Sequence, residues 1–174
     1  MDTAIIYIQA NDEPGIISTI SKVITNNKGN IETSKIINLS NIFNLIMLIS
    51  VENNNIIHIE KELFEIEKSK NNFFVKISKF NKETATSSNL YKFSLKGADT
   101  EGLVYKFTDL LSSHGINVEN MDTEINNAPI TGHPLFFLTS IVNIPNSVDI
   151  EKIKNDLNNL ADKSNVAIKL KLEN

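Results

Sequence analysis

The stretch NDEPGII at residues 11–17 decides the fold, because the chain carries it twice, each time followed by an apolar helical pattern. The first copy continues to Asn30-Ile31-Glu32; the second reads GADTEGLV at residues 97–104 and continues to Asn117-Val118-Glu119. Three pairs of residues are separated by the same 87 positions: Asp12 and Asp99, Gly15 and Gly102, and Asn30 and Asn117. A spacing held at three points indicates a duplicated domain.

Each copy places an aspartate and a glycine at a turn between a strand and a helix. The first backbone N–H groups of a helix have no partner inside it, so we expect Asp12 and Asp99 to cap them. Donors that stay uncapped, together with the positive end of the helix dipole, favour a carboxylate. The plainer interpretation is that these residues only start two helices. Repetition with a matched asparagine favours the binding site.

Composition narrows the functional classes. The 174 residues, 41% apolar and 22% charged, are ordinary for one globular domain or two small ones. No cysteine is present, which excludes disulfides, thiolate metal sites and a cysteine nucleophile. All 17 basic residues are lysine, and the net charge of -4 argues against direct nucleic-acid binding. The chain has no membrane-length apolar run and no secretory signal, so we expect a cytoplasmic protein.

The hydrophobic periodicity predicts the order β-α-β-β-α-β twice, an α+β fold of two ferredoxin-like domains with helices on one face of each antiparallel sheet. In the first copy we predict strands at 3–9, 31–39, 42–51 and 73–80, and helices at 16–28 and 53–70. In the second copy we predict strands at 90–97, 116–126, 135–144 and 166–172, and helices at 102–114 and 148–164. The predicted domains are 1–81 and 90–174, joined by a polar linker at 82–89.

Several local features refine this outline. Gly29 and Gly115 are predicted to end the first helix of each copy, and Ser40-Asn41 to form a tight turn. The strand at 42–51 is apolar on both faces, which predicts a central position and a cover supplied by the other half or another subunit. The second copy inserts a loop at 126–134, with two prolines and a glycine, that could be a lid, a docking surface or a plain surface loop.

Catalytic and metal chemistry is not indicated. His58, His114 and His133 are scattered, without metal-ligand spacing, and no nucleophilic triad accompanies Asp12 or Asp99. Acylphosphatases share this order of strands and helices but bind phosphoryl groups with an arginine at the first turn, and this chain has no arginine. We therefore predict no enzyme activity, no catalytic residues, no metal and no cofactor.

The two turn motifs, at 11–17 and 97–104, resemble the opening motif of ACT domains. In those domains, this turn and the residues that open the second strand hold small amino acids at domain interfaces. The resemblance implies these ligand-binding residues: Asp12, Pro14, Gly15, Ile16, Asn30 and Ile31 in the first copy, and Asp99, Gly102, Leu103, Asn117 and Val118 in the second. We expect N–H groups near Gly15 and Gly102 to bind the ligand carboxylate, and oxygens of Asn30 and Asn117 to accept from its ammonium.

The paired arrangement, with the segment at 128–136 in the second copy, resembles the glycine cleavage system transcriptional repressor type of tandem ACT protein. Proteins of that type lack a DNA-binding domain and act on a separate DNA-binding regulator, with glycine as the implied signal. Glu13 stands where that family often has arginine, and Thr100-Glu101 replaces its arginine-proline pair. The resemblance implies a non-enzymatic regulator with a small amino acid and a DNA-binding protein as partners, and a homodimer is possible. Two alternatives stay open: a regulatory subunit of an amino-acid metabolic enzyme, and a pairing module without a ligand.

Overall fold

A computed structural model of the chain describes residues 1–52, 54–80, 88–129 and 132–173. The chain divides into two compact units, Met1–Thr84 and Ala85–Asn174. Most of the predicted linker, 82–89, lies outside the described residues; its last two positions, Ser88 and Asn89, already belong to a strand.

Unit 1 alternates strands and helices in the predicted order. Its elements are β1 (Asp2–Asn11), α1 (Ile16–Asn26), β2 (Gly29–Leu39), β3 (Ile42–Val51), α2 (Ile56–Ser69) and β4 (Phe74–Lys79). The strands form one antiparallel sheet in the order β2-β3-β1-β4. The strand that is apolar on both faces, β3, therefore lies inside the sheet, as predicted.

Unit 2 repeats this architecture. Its elements are β5 (Ser88–Ala98), α3 (Leu103–Ser113), β6 (Asn117–Asn127), β7 (Pro134–Pro145), α4 (Ile150–Ser164) and β8 (Val166–Leu172). The sheet order β6-β7-β5-β8 matches that of unit 1 strand for strand. The α+β class and the doubled βαββαβ order are confirmed, and the predicted ends differ from the observed ones by at most three residues.

Each unit buries its own core between one face of its sheet and its two helices. In β3 the alternation points Phe43, Leu45, Met47 and Ile49 into the core, while Ile46 and Leu48 lie on the opposite face. In unit 2 the cluster centres on Phe93 and Phe107, whose ring centroids are 5.9 Å apart. The amphipathic patterns in the sequence are therefore core, as the periodicity predicted. None of the described helices is long and apolar enough to cross a membrane.

The first helices of the two units end differently. At α3, Gly115 has a φ of 69°, its N–H donates to Ser112 O at 2.9 Å, and the Ile116 N–H donates to Leu111 O at 3.0 Å. This is a Schellman ending, and the prediction that Gly115 ends the helix is confirmed. At α1 the left-handed residue is Lys28, with a φ of 56°, so the prediction of Gly29 as the stop is wrong. Gly29 opens β2, where a Cβ would lie 2.8 Å from the Ile24 Cγ2 atom.

Candidate functional site

The repeated turn of unit 1 joins β1 to α1 through Gly15, which has a φ of 95° and is the N-cap of the helix. The backbone N–H of Asp12 donates to Asn41 O at 3.0 Å, which extends the pairing of β1 with β3. The Asp12 carboxylate accepts a hydrogen bond from Asn38 Nδ2 and makes no contact with the helix N–H groups. The prediction that Asp12 caps α1 is therefore wrong, because the carboxylate is engaged by the edge strand.

The start of α1 keeps unpaired donors. The Ile16 N–H makes a long 3.4 Å bond to Glu13 O, and the Thr19 N–H donates to Gly15 O at 2.9 Å. The N–H groups of Ile17 and Ser18 have no acceptor within the described part of the chain. An open cleft of about 440 Å³ lies here, lined by residues 12–18 and Phe43. Two donors at a helix N-terminus can bind one carboxylate.

A lysine from the end of α2 approaches this turn. Lys70 Nζ lies 3.3 Å from Glu13 Oε2, and both side chains line a neighbouring cleft of about 330 Å³. This exposed pair adds little to stability. Its electrostatic effect matters more, because the lysine offsets the negative charge of Glu13 beside the helix start. Sequence reasoning missed Lys70, which is 57 positions from Glu13 and follows a helix without any motif of its own.

The turn of unit 2 has the same backbone and a different charge. Gly102 has a φ of 79°, and α3 has no side-chain cap, so the prediction that Asp99 caps it is wrong. Instead the Asp99 N–H donates to Pro134 O at 3.3 Å, pairing the strand end with β7. Across the described ranges, no lysine or histidine nitrogen lies within 4.0 Å of the Glu101 carboxylate. The second turn therefore has an acidic residue without the compensating cation of the first.

The predicted asparagines occupy matching positions at β-bulges. Asn30 Nδ2 donates to Glu32 Oε1 at 3.3 Å, and Asn117 Nδ2 donates to Glu119 Oε1 at 3.2 Å. In each unit the strand register shifts at the glutamate, between Ile31 and Thr33 and between Val118 and Asn120. A bulge re-aims side chains. Glu32 and Glu119 stand at matching positions in the two copies of the sequence, but only the strand register shows that each lies at a bulge.

Glu32 carries a further hydrogen bond, from Ser50 Oγ on β3. Two hydrogen bonds lower the pKa of the Glu32 carboxyl below its ordinary value. The bond from the Ser50 hydroxyl has the larger effect, and the bond from the Asn30 amide has the smaller one. In unit 2, Asn143 Nδ2 takes the position of the hydroxyl and lies 3.1 Å from Glu119 Oε1. The asparagine end of unit 1 is therefore a place of fixed negative charge, suited to an ammonium group.

The two predicted halves of the site lie at opposite ends of each sheet. In unit 1 the β1 end that leads to Gly15 pairs with Ile42, whereas Asn30 pairs with Ser50, eight residues further along β3. At 3.3 Å per residue the separation is about 26 Å. A single unit therefore does not bring Gly15 and Asn30 together around one small amino acid.

The apolar residues of the predicted site are mainly core. Ile16 and Leu103 are 5% and 3% exposed, and Ile31 and Val118 are partly buried against the cores. Pro14 lines the cleft at the first turn. The side chains of the four aliphatic residues therefore hold the turn and the strand to the domain.

The inserted loop closes on itself at its base. The Ala128 N–H donates to His133 O at 2.8 Å, and the Gly132 N–H donates to Ala128 O at 2.9 Å. Residues 130 and 131 lie outside the described ranges. The loop leads into Pro134, whose carbonyl accepts from Asp99, so its base adjoins the second turn.

One of the three histidines pairs with a carboxylate. His114 Nε2 lies 3.1 Å from Asp156 Oδ2, which joins the end of α3 to α4. Within the described residues, no group of three or more histidine, aspartate or glutamate side chains could hold a metal ion.

A family model for the ACT domain matches residues 2–71, which span β1 to the end of α2 with both halves of the first predicted site. The match covers 70 of the 174 residues. Unit 2 repeats the ACT order of strands and helices in register, so the chain carries this fold twice. No curated protein matches the sequence.

Two solved structures share the doubled βαββαβ fold over the whole chain. A protein of unknown function from Galdieria sulphuraria is 23% identical, with a TM-score of 0.87 and 99% of both chains covered. A candidate glycine cleavage system transcriptional repressor is 18% identical, with a TM-score of 0.72, covering 99% of this chain and 97% of its own. At these identities the likeness establishes the fold.

Proposed function

We propose that this chain is a non-enzymatic regulator that binds a small amino acid, glycine first, and passes the signal to a DNA-binding regulator by protein contact. ACT domains are regulatory, and a structural neighbour over the whole chain bears the name of a candidate glycine cleavage repressor. Binding regulates only if the ligand prefers one arrangement of the protein over another.

The observation that carries the proposal is the start of α1. The free N–H groups of Ile17 and Ser18 open into the cleft at Gly15, and the helix dipole favours an anion there. Lys70 Nζ lies 3.3 Å from Glu13 Oε2 and compensates the negative charge of that carboxylate. In this proposal the two N–H groups bind the carboxylate of the amino acid.

The end of the unit 1 sheet at Asn30 suits the ammonium group of the ligand. The Glu32 carboxylate stays ionised there, and with Asn30 Nδ2 donating to it, the amide oxygen of Asn30 is left to accept from an ammonium group. Because this end is about 26 Å from Gly15 in the same sheet, the contacts to the ammonium must come from outside the domain that holds the carboxylate.

The two copies are proposed to differ in affinity. The first turn has Lys70 beside Glu13, whereas Glu101 in the second turn has no cation within 4.0 Å among the described residues. An uncompensated carboxylate repels the ligand carboxylate. We therefore assign ligand binding to the first turn, with the second turn retained for the fold.

Calorimetric titration of the full chain with glycine, serine and valine tests the sensor. The five heavy atoms of glycine supply about 1.5 kcal/mol each at best, so the Kd is no tighter than a few micromolar. Lys70→Ala is expected to weaken binding several-fold and Glu13→Gln to strengthen it, while the matched Glu101→Gln leaves it unchanged. No heat with any amino acid contradicts the sensor and leaves a pairing module.

The protein partner needs a separate experiment. Affinity capture from the native cell, with and without glycine, is expected to recover a DNA-binding regulator. Recovery of an amino-acid metabolic enzyme in its place favours the alternative of a regulatory subunit. A promoter fragment shifted by the purified chain alone contradicts the prediction that it does not bind DNA directly.

A further inference from the structure

The sheet of unit 2 has an outer face, on the side away from α3 and α4, that is divided by charge. Register with the buried residues of β7 identifies which side chains point outward. On the edge strand β6 these include Asp122 and Glu124, which pair with Thr139 and Phe137 of β7. Glu119 joins them, because its carboxylate accepts from the outward Asn143. One edge of the face is therefore acidic.

The opposite side of the same face is basic. Lys169 and Lys171 lie on the other edge strand, β8, and Lys92 and Lys96 lie on the adjacent β5. Lys92 is directly opposite Lys171, and like charges in that position are unfavourable. In the described part of the chain no carboxylate lies within 4.0 Å of these lysines.

Between the two charged edges runs an apolar strip on β7, made by Leu135, Phe137 and Ile141 with Thr139 among them. Lys96 Nζ lies 5.1 Å from the centroid of the Phe137 ring, so one lysine folds over this strip. We call the whole surface the charged face: acidic β6, apolar β7, and basic β5 and β8.

We propose that the charged face binds the same face of a second copy of this chain. Two sheets that pack face to face can be related by a two-fold axis in the plane between them. An axis perpendicular to the strands places β6 on β6 and sets like charges together. An axis parallel to the strands places β6 of one copy on β8 of the other. The charge layout therefore selects the second arrangement.

The pairing register shows that the charges also match along the strands. Asp122 and Lys169 lie in one cross-sheet row, through Thr139 and Ser94, so they oppose each other across the dimer. In the next row of the same face Glu124 lies opposite Ala167 of β8 in the second copy, one strand away from its Lys96 on β5. On the other side Glu119 lies nearest to the row of Lys171. Asp122 thus lies directly opposite a lysine of the second copy, and Glu124 and Glu119 lie beside the rows of two others, around the apolar strip.

Unit 1 provides a control inside the same molecule. At the positions of Asp122 and Lys169 its sheet has Lys35 and Lys76, which occupy one row with Ile46 and Tyr7. That row carries lysine at both ends, so a two-fold axis parallel to the strands sets lysine opposite lysine there. The charge argument for the interface therefore applies to unit 2 and not to unit 1, although both units share the fold.

Sedimentation velocity of the full chain across the micromolar range tests the proposal, and it needs no ligand. The wild type is expected to dimerise. Asp122→Lys and Lys169→Asp are each expected to raise the dimer Kd roughly tenfold or more, because each sets like charges across the interface. The double variant, which reverses both charges, is expected to return the Kd to near the wild-type value.

The matched variants Lys35→Asp and Lys76→Asp are expected to leave the dimer Kd unchanged, and circular dichroism checks that every variant is folded. A wild type that stays monomeric overturns the proposal. So does a dimer that the unit 1 variants weaken and the unit 2 variants do not. A folded double variant that stays as weak as the single variants also overturns it.

Discussion

Gly15 and Gly102 have the same backbone role at the start of α1 and α3. Both have positive φ, at 95° and 79°, where a side chain is strained whatever space surrounds it. A Cβ on Gly102 would meet nothing within 4 Å, so packing does not exclude a larger residue there. The requirement for glycine at this turn comes from the backbone conformation alone.

Gly102→Ala is therefore expected to lower the free energy of unfolding by about 1–2 kcal/mol. Gly102→Asn is expected to cost less, since asparagine tolerates the left-handed conformation better. Urea unfolding of both variants measures the difference, with the exposed Thr100→Ala as a control. Equal losses for alanine and asparagine would show that the sign of φ is not the cause.

The carboxyl of Glu32 gives a prediction in pH. Its pKa is lowered first by the hydrogen bond from Ser50, so its contribution to stability is present above the ordinary pKa and is lost as pH falls to the lowered one. Ser50→Ala is expected to raise the pKa of Glu32 and to shrink that acid-dependent loss. Carbon-13 NMR titration of the Glu32 carboxyl measures the shift. Ser18→Ala, which removes a hydroxyl remote from Glu32, is expected to leave the pKa in place.

At the scale of the elements, the first helix of each unit starts differently from α4. The helices α1 and α3 begin at a left-handed glycine without a side-chain cap. The helix α4 begins at Asp149, whose Oδ1 accepts from Glu151 N at 3.0 Å and from Lys152 N at 3.3 Å. Asp149, to which the sequence analysis assigned no role, therefore caps a helix. Asp12 and Asp99, which were predicted to cap helices, do not.

Asp149→Ala is expected to destabilise the protein by about 1 kcal/mol through loss of the cap. Asp99→Ala, by contrast, is expected to stay within about 0.5 kcal/mol, because its side chain bonds to no helix donor. Thermal and urea unfolding compare the two. A larger loss for Asp99→Ala would mean that its carboxylate does act on α3.

Turns were predictable at this scale and bulges were not. Ser40 and Asn41 have φ of 51° and 65°, as a two-residue hairpin turn requires, and residue type alone indicated them. The bulges at Glu32 and Glu119 depend on how the residues of one strand pair with those of its neighbour. That register is a property of two strands together, so the periodicity of one strand does not predict it.

At the scale of the molecule, the two units have separate cores. Leu63 on α2 and Leu157 on α4 are both fully buried, each within its own cluster. Truncation of either side chain removes apolar contacts and leaves a cavity in one cluster.

Leu63→Ala is expected to destabilise unit 1 by about 2–5 kcal/mol, and Leu157→Ala to do the same to unit 2. Hydrogen exchange reads the two units separately, at the amides of β1 and β5. We expect Leu63→Ala to lower protection in β1 and Leu157→Ala to lower it in β5. Loss of protection in both strands with either variant would contradict independent cores.

The chain also uses one fold to make two unlike surfaces. The positions of Asp122, Glu124 and Lys92 in unit 2 hold Lys35, Ile37 and Ile5 in unit 1, so the outer faces differ in charge. The turns and cores are alike in the two units, because both depend on local sequence and burial. The exposed faces differ, and we place self-association on one of them.

The sequence by itself determined the doubled βαββαβ order, the glycine turns and the inward faces, because backbone conformation and burial leave periodic signals in residue type. Only the tertiary structure decided what surrounds the turns. In it Asp12 accepts a hydrogen bond from Asn38, and Lys70 lies beside Glu13. The strand β2 has a bulge at Glu32, and Asn30 lies about 26 Å from Gly15. These relations join residues far apart in the chain, and they are set by strand register and helix packing, which no local pattern records.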